Sequence, residues 1–233
     1  MSSPENRNRL LIKFMDEQYV DSFINEGLLF MNNIQFFRAY EDSDPALRGD
    51  VHEGLSASLL PENITLEING RVITEAVGKI DIRKCRQDET NIYSMTIITD
   101  QDILNSGEHG LHLSSNFSKF GNKAVFICGS DISKFWNRLK SSIDDNQFIY
   151  TLEDNNIIGG KVNYIERALH HSRLNVFNKF KEYAWQHEWR IALNQTTRVG
   201  PLPLKIGSLA DIAHVIDTID LVKQPIKFQE QVS

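Results

Sequence analysis

The chain is poor in cysteine. Its two thiols, Cys85 and Cys128, stand alone, without a CxxC pair or a zinc-ligand spacing. A disulfide framework and a zinc-ribbon site are thereby excluded, and a reducing compartment is implied. Cys85 lies between two cations, Lys84 and Arg86, but a lone strand cysteine is more often inert, and we do not read it as a nucleophile. Long apolar runs are also missing. No run approaches the length of a membrane span, and the opening MSSPENRNR lacks the apolar core of a secretory signal. No membrane partner is expected, and the expected compartment is the cytoplasm. Positive charge is not in excess: 25 Lys and Arg stand against 31 Asp and Glu, a net charge of −6, so there is no global basic footprint for nucleic acid. Internal repeats, low-complexity stretches and linkers are absent too. The 233 residues, 41% of them hydrophobic, fit one domain with an ample core, residues 1–8 being expected to be disordered.

The charge that is present is unevenly spread. Residues 41–53 are acidic, and residues 167–190 are locally basic through Arg167, Arg173, Lys179, Lys181 and Arg190. The basic stretch suits phosphates, although a solvated helix face explains it equally well. Residues 41–54 make a polar loop too long for a hairpin turn, and loops of that size often serve a site.

Hydrophobic periodicity gives the order of elements. Residues 9–14 read as a first strand, 16–26 as a helix stopped by Gly27, and 28–31 as a strand. Asn32 or Asn33 caps a helical turn holding Phe36, Phe37 and Arg38. Residues 55–60 are a strand, and 64–68 and 71–74 flank Asn69-Gly70, a strong hairpin signal. Strands at 79–84 and 91–98 follow. Residues 99–119 read as irregular, and 123–128 as a strand. Ser130 or Asp131 caps a helix with Ile132, Phe135, Trp136 and Leu139 on its core face. Residues 148–152 and 157–165 read as a strand pair with Gly159-Gly160 at a turn or bulge, 169–183 as a helix, and 188–193, 201–206 and 213–217 as strands. The class is α+β, with short and mostly antiparallel strands.

Two strands carry polar faces. In residues 188–193, Glu188 and Arg190 alternate with Trp189, Ile191 and Leu193, and if the preceding turn is extended Gln186 shares the Glu188 face. By itself this reads as an edge strand with a solvated charged face. In residues 91–98, Ser94 and Thr96 share one face and Tyr93 and Met95 the other, and buried hydroxyls need partners.

A first strand carrying a cation (Lys13), a middle strand carrying Ser94 and Thr96, and a late strand opening Gln186-His187-Glu188 together resemble the mono-ADP-ribosyltransferase superfamily. In one branch an Arg on the first strand, a Ser-Thr-Ser strand and a Gln/Glu-x-Glu turn surround NAD; here Lys13 stands where Arg or His is expected. The chain also resembles bacterial proteins with a Phe-Arg…Arg-Gly-Asp…Glu-Gly loop and a late Tyr…Glu-Trp-Arg strand. The matching residues are Phe37-Arg38, Arg48-Gly49-Asp50, Glu53-Gly54, Tyr183 and Glu188-Trp189-Arg190.

The resemblance implies an ADP-ribosyltransferase-like split sheet with flanking helices and NAD as substrate. It implies Glu188, Gln186 and Ser94 as catalytic residues and Lys13, Phe14, Tyr19, Arg38, Tyr93, Thr96 and Arg190 as cofactor-binding residues, with no metal. Glu188 stabilises the oxocarbenium-like centre, and Ser94 orients it. Lys13, Arg38 or Arg190 neutralises the pyrophosphate, and Tyr19, Tyr93, Tyr183 or Trp185 stacks on nicotinamide. Gln186, in place of a Glu, points away from arginine acceptors and, with the basic stretch, towards an RNA or DNA base. Members of such groups are suspected toxin–antitoxin or phage-defence effectors, so an antitoxin protein is a further implied partner. Two other classes compete. One is a metal-dependent nuclease using His170, His171 and the carboxylates of residues 41–53. The other is a non-catalytic module that senses phage or binds an antitoxin.

Overall fold

The structure, a computed structural model, describes residues 7–40, 49–73, 77–151 and 156–227. Its strands are β1 (Asn8–Met15), β2 (Leu28–Asn33), β3 (Ala57–Leu59), β4 (Leu66–Ile68), β5 (Arg71–Ile73), β6 (Ile80–Ile82), β7 (Asn91–Thr99), β8 (Lys123–Cys128), β9 (Ile149–Tyr150), β10 (Gly159–Lys161), β11 (Asn163–Ile165), β12 (Ser172–Arg173), β13 (Asn178–Phe180), β14 (Glu188–Gln195), β15 (Leu202–Lys205) and β16 (Ala213–Asp217). Helices α1 (Val20–Glu26), α2 (Ile34–Ala39), α3 (Asp100–Asn105), α4 (Gly129–Asp144) and α5 (Thr218–Lys223) flank them. The protein is α+β with mostly antiparallel sheets. No helix among the described residues is long and apolar enough to cross a membrane.

Nine strands form one sheet, whose main path runs β10-β14-β7-β1-β8-β16, with β2 and β15 attached at one end of β7 and β9 on β14. Register explains how this sheet makes room for a site. β1 pairs with β7 only from Ile12↔Thr96 outward, and β2 pairs with β7 at Asn32↔Ile92 and Asn33↔Asn91. Between those contacts, among the described residues, no strand covers that edge of Tyr93–Met95. Their other edge is fully paired with β14, through Trp189↔Met95, Arg190↔Ser94 and Ile191↔Tyr93. The ladder thus splits where β1 and β2 diverge. The Ser94 carbonyl faces the gap and accepts a hydrogen bond from Lys13 Nζ at 2.8 Å. A backbone acceptor that loses its strand partner is satisfied by a side chain.

The main core lies on the face of Tyr93, Met95 and Ile97, covered by α1 and by Phe135 and Leu139 of α4. On the opposite face two smaller apolar clusters, one around Phe14, Ile98 and Phe117 and one around Ile34, Ile92 and Phe177, leave a polar strip between them. Gly159 stands inside β10, where a Cβ would lie 3.0 Å from the Trp136 ring and 3.2 Å from that of Trp189, so glycine lets this strand pack under two indoles.

Several expectations hold. Asn69 and Gly70 both have positive φ, as a two-residue hairpin requires, and Gly27 ends α1 in the left-handed region. Asn33 accepts the Phe36 N–H at the start of α2. Others need correction. Residues 169–183 are not helical: they hold β12, β13 and the first half of the 3-10 turn Lys181–Gln186. Residues 99–119 are not irregular, because a Thr99–Asp102 capping box starts α3. The described parts of the segments at 148–152 and 157–165 do not pair with each other, residue 152 lying outside the described residues: β9 and β10 both join β14, and β11 joins β13 in parallel. The long helix begins at Gly129 with Cys128 as its N-cap, so the expected caps Ser130 and Asp131 lie inside its first turn. Asn8 lies in β1 and Arg7 bonds to Asp100, so both are ordered; the rest of the expected disordered segment, residues 1–6, lies outside the described residues, as do 41–48.

Candidate active site

The split opens into a cleft of about 420 Å³. Its walls are aromatic: Phe30 of β2, Phe37 of α2, Tyr19 of the 3-10 turn after β1, and the group Phe14, Phe117 and Phe120. Its floor is polar and charged. Of the site residues expected from sequence, Glu188, Gln186, Ser94, Lys13, Phe14, Tyr19, Tyr93, Thr96 and Arg190 line it, and Arg38, Tyr183 and Trp185 do not.

The turn that delivers Glu188 is built locally. The chain leaves β13 extended, makes the 3-10 turn Lys181–Gln186, and reverses at His187, whose φ of 45° lies in the left-handed region. Histidine tolerates that conformation better than a β-branched residue does. His187 is pinned on two sides. Its carbonyl accepts the Ile97 N–H at 2.8 Å, and its Nδ1 lies 3.7 Å from Asp102 Oδ1. The Thr96 hydroxyl donates to the Gln186 carbonyl at 3.0 Å. The Glu188 N–H donates to the Tyr164 hydroxyl at 2.8 Å.

β14 is not an edge strand with a solvated face. Glu188 and Arg190 are 3% and 1% exposed, and they sit in a buried ion network. Glu188 Oε1 accepts from the Ser94 hydroxyl and from Arg190 Nε, and Oε2 accepts from Lys179 Nζ at 3.1 Å. Arg190 Nη1 and Nη2 hold Glu53 at 2.7 and 3.1 Å, and Nη1 also donates to the Val176 carbonyl. Lys179 Nζ donates to Gln186 Oε1 at 3.0 Å and lies 4.5 Å from the Tyr183 ring centre. The Tyr183 hydroxyl in turn donates to the Gly49 carbonyl at 2.9 Å, tying the loop that carries Asp50 and Glu53 to the site. Gly54, at a φ of 75°, lets that loop close onto Ile34, whose side chain a Cβ would approach to 2.6 Å.

Burial alone raises the pKa of a carboxylate, yet the Glu188 carboxyl is held far below its ordinary range by Arg190, then Lys179, then the hydrogen bonds from Arg190 and Ser94. The Arg190 guanidinium is correspondingly raised: burial opposes the charge, and Glu188 and Glu53 outweigh it. Asp50 goes the other way, pushed up to about 6 by burial and then by Glu53, with Lys179 opposing.

The geometry reassigns several roles. Arg38 is spent on Asp88, with Nη1 and Nη2 at 2.5 and 2.6 Å, and does not reach the cleft. Arg190 lines the cleft, but four of its five donors go to Glu188, Glu53 and the Val176 carbonyl, so it anchors the two carboxylates. Tyr93 is 5% exposed, and its ring carries Lys13 Nζ 4.2 Å from its centre. Trp185 packs against Phe117 and Phe120, and neither it nor Tyr183 is among the residues lining the cleft. The stretch 167–190 is not a basic surface: Lys179 and Arg190 are buried, and Arg167 pairs with Asp81 at 3.2 Å. His171 Nδ1 accepts the Leu60 N–H beside β3, away from the cleft, and among the described residues no three His, Cys, Asp or Glu converge as metal ligands.

Lys179 and Tyr164 are not among the site residues expected from sequence, and Glu53 is expected only as one of the carboxylates of the competing nuclease reading. Glu53 had a signal in the Glu-Gly step of the loop; Lys179 and Tyr164 had none that separates them from surface residues. No family model, no curated protein and no solved structure matches the chain.

Proposed function

We propose that the cleft binds NAD and that the protein is a mono-ADP-ribosyltransferase. The observation that carries this reading is the Ser94–Glu188 hydrogen bond at the floor of an aromatic-walled cleft. A carboxylate offers about four lone-pair positions. Ser94 and Arg190 use those of Oε1 and Lys179 uses one on Oε2, which leaves a position for a ribose hydroxyl. A carboxylate held so far below its ordinary range is a poor base and a good fixed charge. That suits the chemistry. The bond from C1′ to the nicotinamide nitrogen breaks, both electrons go to that nitrogen, and nicotinamide leaves neutral. The positive charge moves to the ribose, where Glu188 opposes it; an acceptor nucleophile then attacks C1′ and gives its proton to water.

The aromatic walls suit a planar pyridine or purine ring. Lys13, whose Nζ bonds the Ser94 carbonyl at the cleft, is the pyrophosphate cation in this reading; Arg38 does not line the cleft, and Arg190 holds Glu188 and Glu53. The divergence of β1 from β7 beyond Thr96 supports the finer fold reading, an ADP-ribosyltransferase-like split sheet. We take a nucleic-acid base as the acceptor. Gln186 supports that choice, whereas the basic stretch no longer does. The effector role in toxin–antitoxin or phage-defence systems, with an antitoxin as partner, follows from the resemblance alone.

Incubation with labelled NAD and separate RNA, DNA and protein pools, with and without chelator, tests the reading. Nicotinamide release and chelator-insensitive label in a nucleic-acid pool are expected. Label confined to protein would move the acceptor. Chelator-sensitive strand cleavage without nicotinamide release would favour the nuclease. An inert protein that does not bind NAD would leave the binding module.

A further inference from the structure

Lys179 is a lysine where solvation gives it no reason to be. It is 7% exposed, on a three-residue strand, and its two side-chain hydrogen bonds among the described residues go to Gln186 and Glu188 in the cleft. β13 runs parallel to β11 with Tyr164 opposite Lys179. The two side chains grip the same residue: Tyr164 accepts the Glu188 N–H, and Lys179 donates to the Glu188 carboxylate. The ammonium has three protons. One goes to Glu188 Oε2, one to Gln186 Oε1, and the third faces the Tyr183 ring. A methionine would fill the same space and cover the same apolar surface, so packing does not call for the charge.

We propose that Lys179 is a positioning residue, one ammonium that bonds both the Glu188 carboxylate and the Gln186 amide, so that the cleft presents the two as a unit. This rests on the reading of Glu188 and Gln186 given above. Because lysine only donates, the Gln186 amide is fixed with its oxygen towards Lys179. The groups around Glu188 are Arg190 from its own strand, Lys179 from β13, Tyr164 from β11, Ser94 from β7, and Glu53 and Asp50 from residues 49–54. With Lys179 gone, Arg190 alone would face Glu188 and Glu53, with Asp50 close by.

The test uses the full chain with carboxyl-13C glutamate. The Glu188 resonance is assigned by its loss in Glu188→Gln and followed against pH in wild type, Lys179→Met and Lys179→Arg, with thermal unfolding as the fold control. In Lys179→Met the Glu188 titration should move up by about one unit or more, the usual effect of one close opposite charge. Lys179→Arg should stay near wild type. In parallel, the acid limb of kcat for nicotinamide release should move up with the titration, and the ratio of transfer to release should fall as Gln186 loses its tether. An unmoved titration and an unmoved transfer ratio in folded Lys179→Met would overturn the proposal. If Lys179→Met does not fold, Lys179→Met/Asp50→Asn, which rebalances the buried charge, carries the same measurement. Wild type that releases no nicotinamide would defeat the transferase reading while leaving the NMR titration to decide Lys179.

Discussion

Arg190→Met removes the cation that joins two buried carboxylates while keeping a side chain of similar length. The guanidinium is 1% exposed and makes bonds to Glu53, Glu188 and the Val176 carbonyl. Among the described residues, Glu53, 4% exposed, has Arg190 as its one ion-pair partner, whereas Glu188 keeps Lys179 and Ser94. Breaking a buried pair from one side typically costs about 3–5 kcal/mol, because the partner stays buried and charged. A domain has only about 5–15 kcal/mol in total, so the variant should be marginal. Urea unfolding at pH 7, read by tryptophan fluorescence, measures the loss. The double variant Arg190→Met/Glu53→Gln should recover about 1–3 kcal/mol of it, the desolvation cost of the stranded charge. The pH dependence has a definite sign. The folded-state pKa of Glu188 is depressed, so its contribution is present above its ordinary value of 4.5 and is lost as pH falls below that towards the folded value. The deficit of Arg190→Met should therefore narrow below about pH 4.5. A loss under about 1 kcal/mol, of the size expected for an exposed pair, would refute the buried-network argument.

Asp50 predicts the opposite behaviour. Its folded pKa is raised from 3.8 to about 6, so the folded state binds more protons across that window, and stability falls as pH rises through it. A shift of that size is worth up to about 3 kcal/mol at pH 7, and Asp50→Asn, which can still accept the His52 N–H, should raise stability there by about 1–3 kcal/mol. A less stable Asp50→Asn at pH 7 would show that the charge is needed. Lys13→Ala should lose the charge-assisted bond to the Ser94 carbonyl, about 1.5–3 kcal/mol by thermal unfolding, and weaken NAD binding by calorimetry. Lys13→Arg should keep most of both, and unchanged NAD affinity in Lys13→Ala would remove the phosphate role.

The legible part of this chain was its strand alternation. Period-two patterns at Ser94–Thr96 and Glu188–Arg190 placed the right side chains on the right faces, and the structure joins Ser94 to Glu188. Burial of the Glu188 face was not legible, because its cover comes from residues 49–54 and from β13. Residues 169–183 read as helix because apolar residues recur there at helical intervals. The segment instead pairs with distant strands, β12 with β3 and β13 with β11. Such pairings leave little local trace in strands of two or three residues. Lys179 illustrates the same limit: in sequence it is one cation in a basic run, and only the fold of β11 and β13 turns it inward. The start of α3 is legible in Thr99 and Asp102, which form its capping box.

The most direct measurement is nicotinamide release from NAD by wild type and Glu188→Gln, with NAD affinity measured on the same samples. Glu188→Gln leaves Lys179 and Arg190 short of a counter-charge, so samples are first matched for folded fraction. The account predicts release by wild type, a loss on the order of a hundredfold or more in turnover for Glu188→Gln, and little change in NAD affinity, since the charge acts mainly in the transition state. Equal turnover in the two proteins, or no NAD bound or cleaved by wild type, would contradict it.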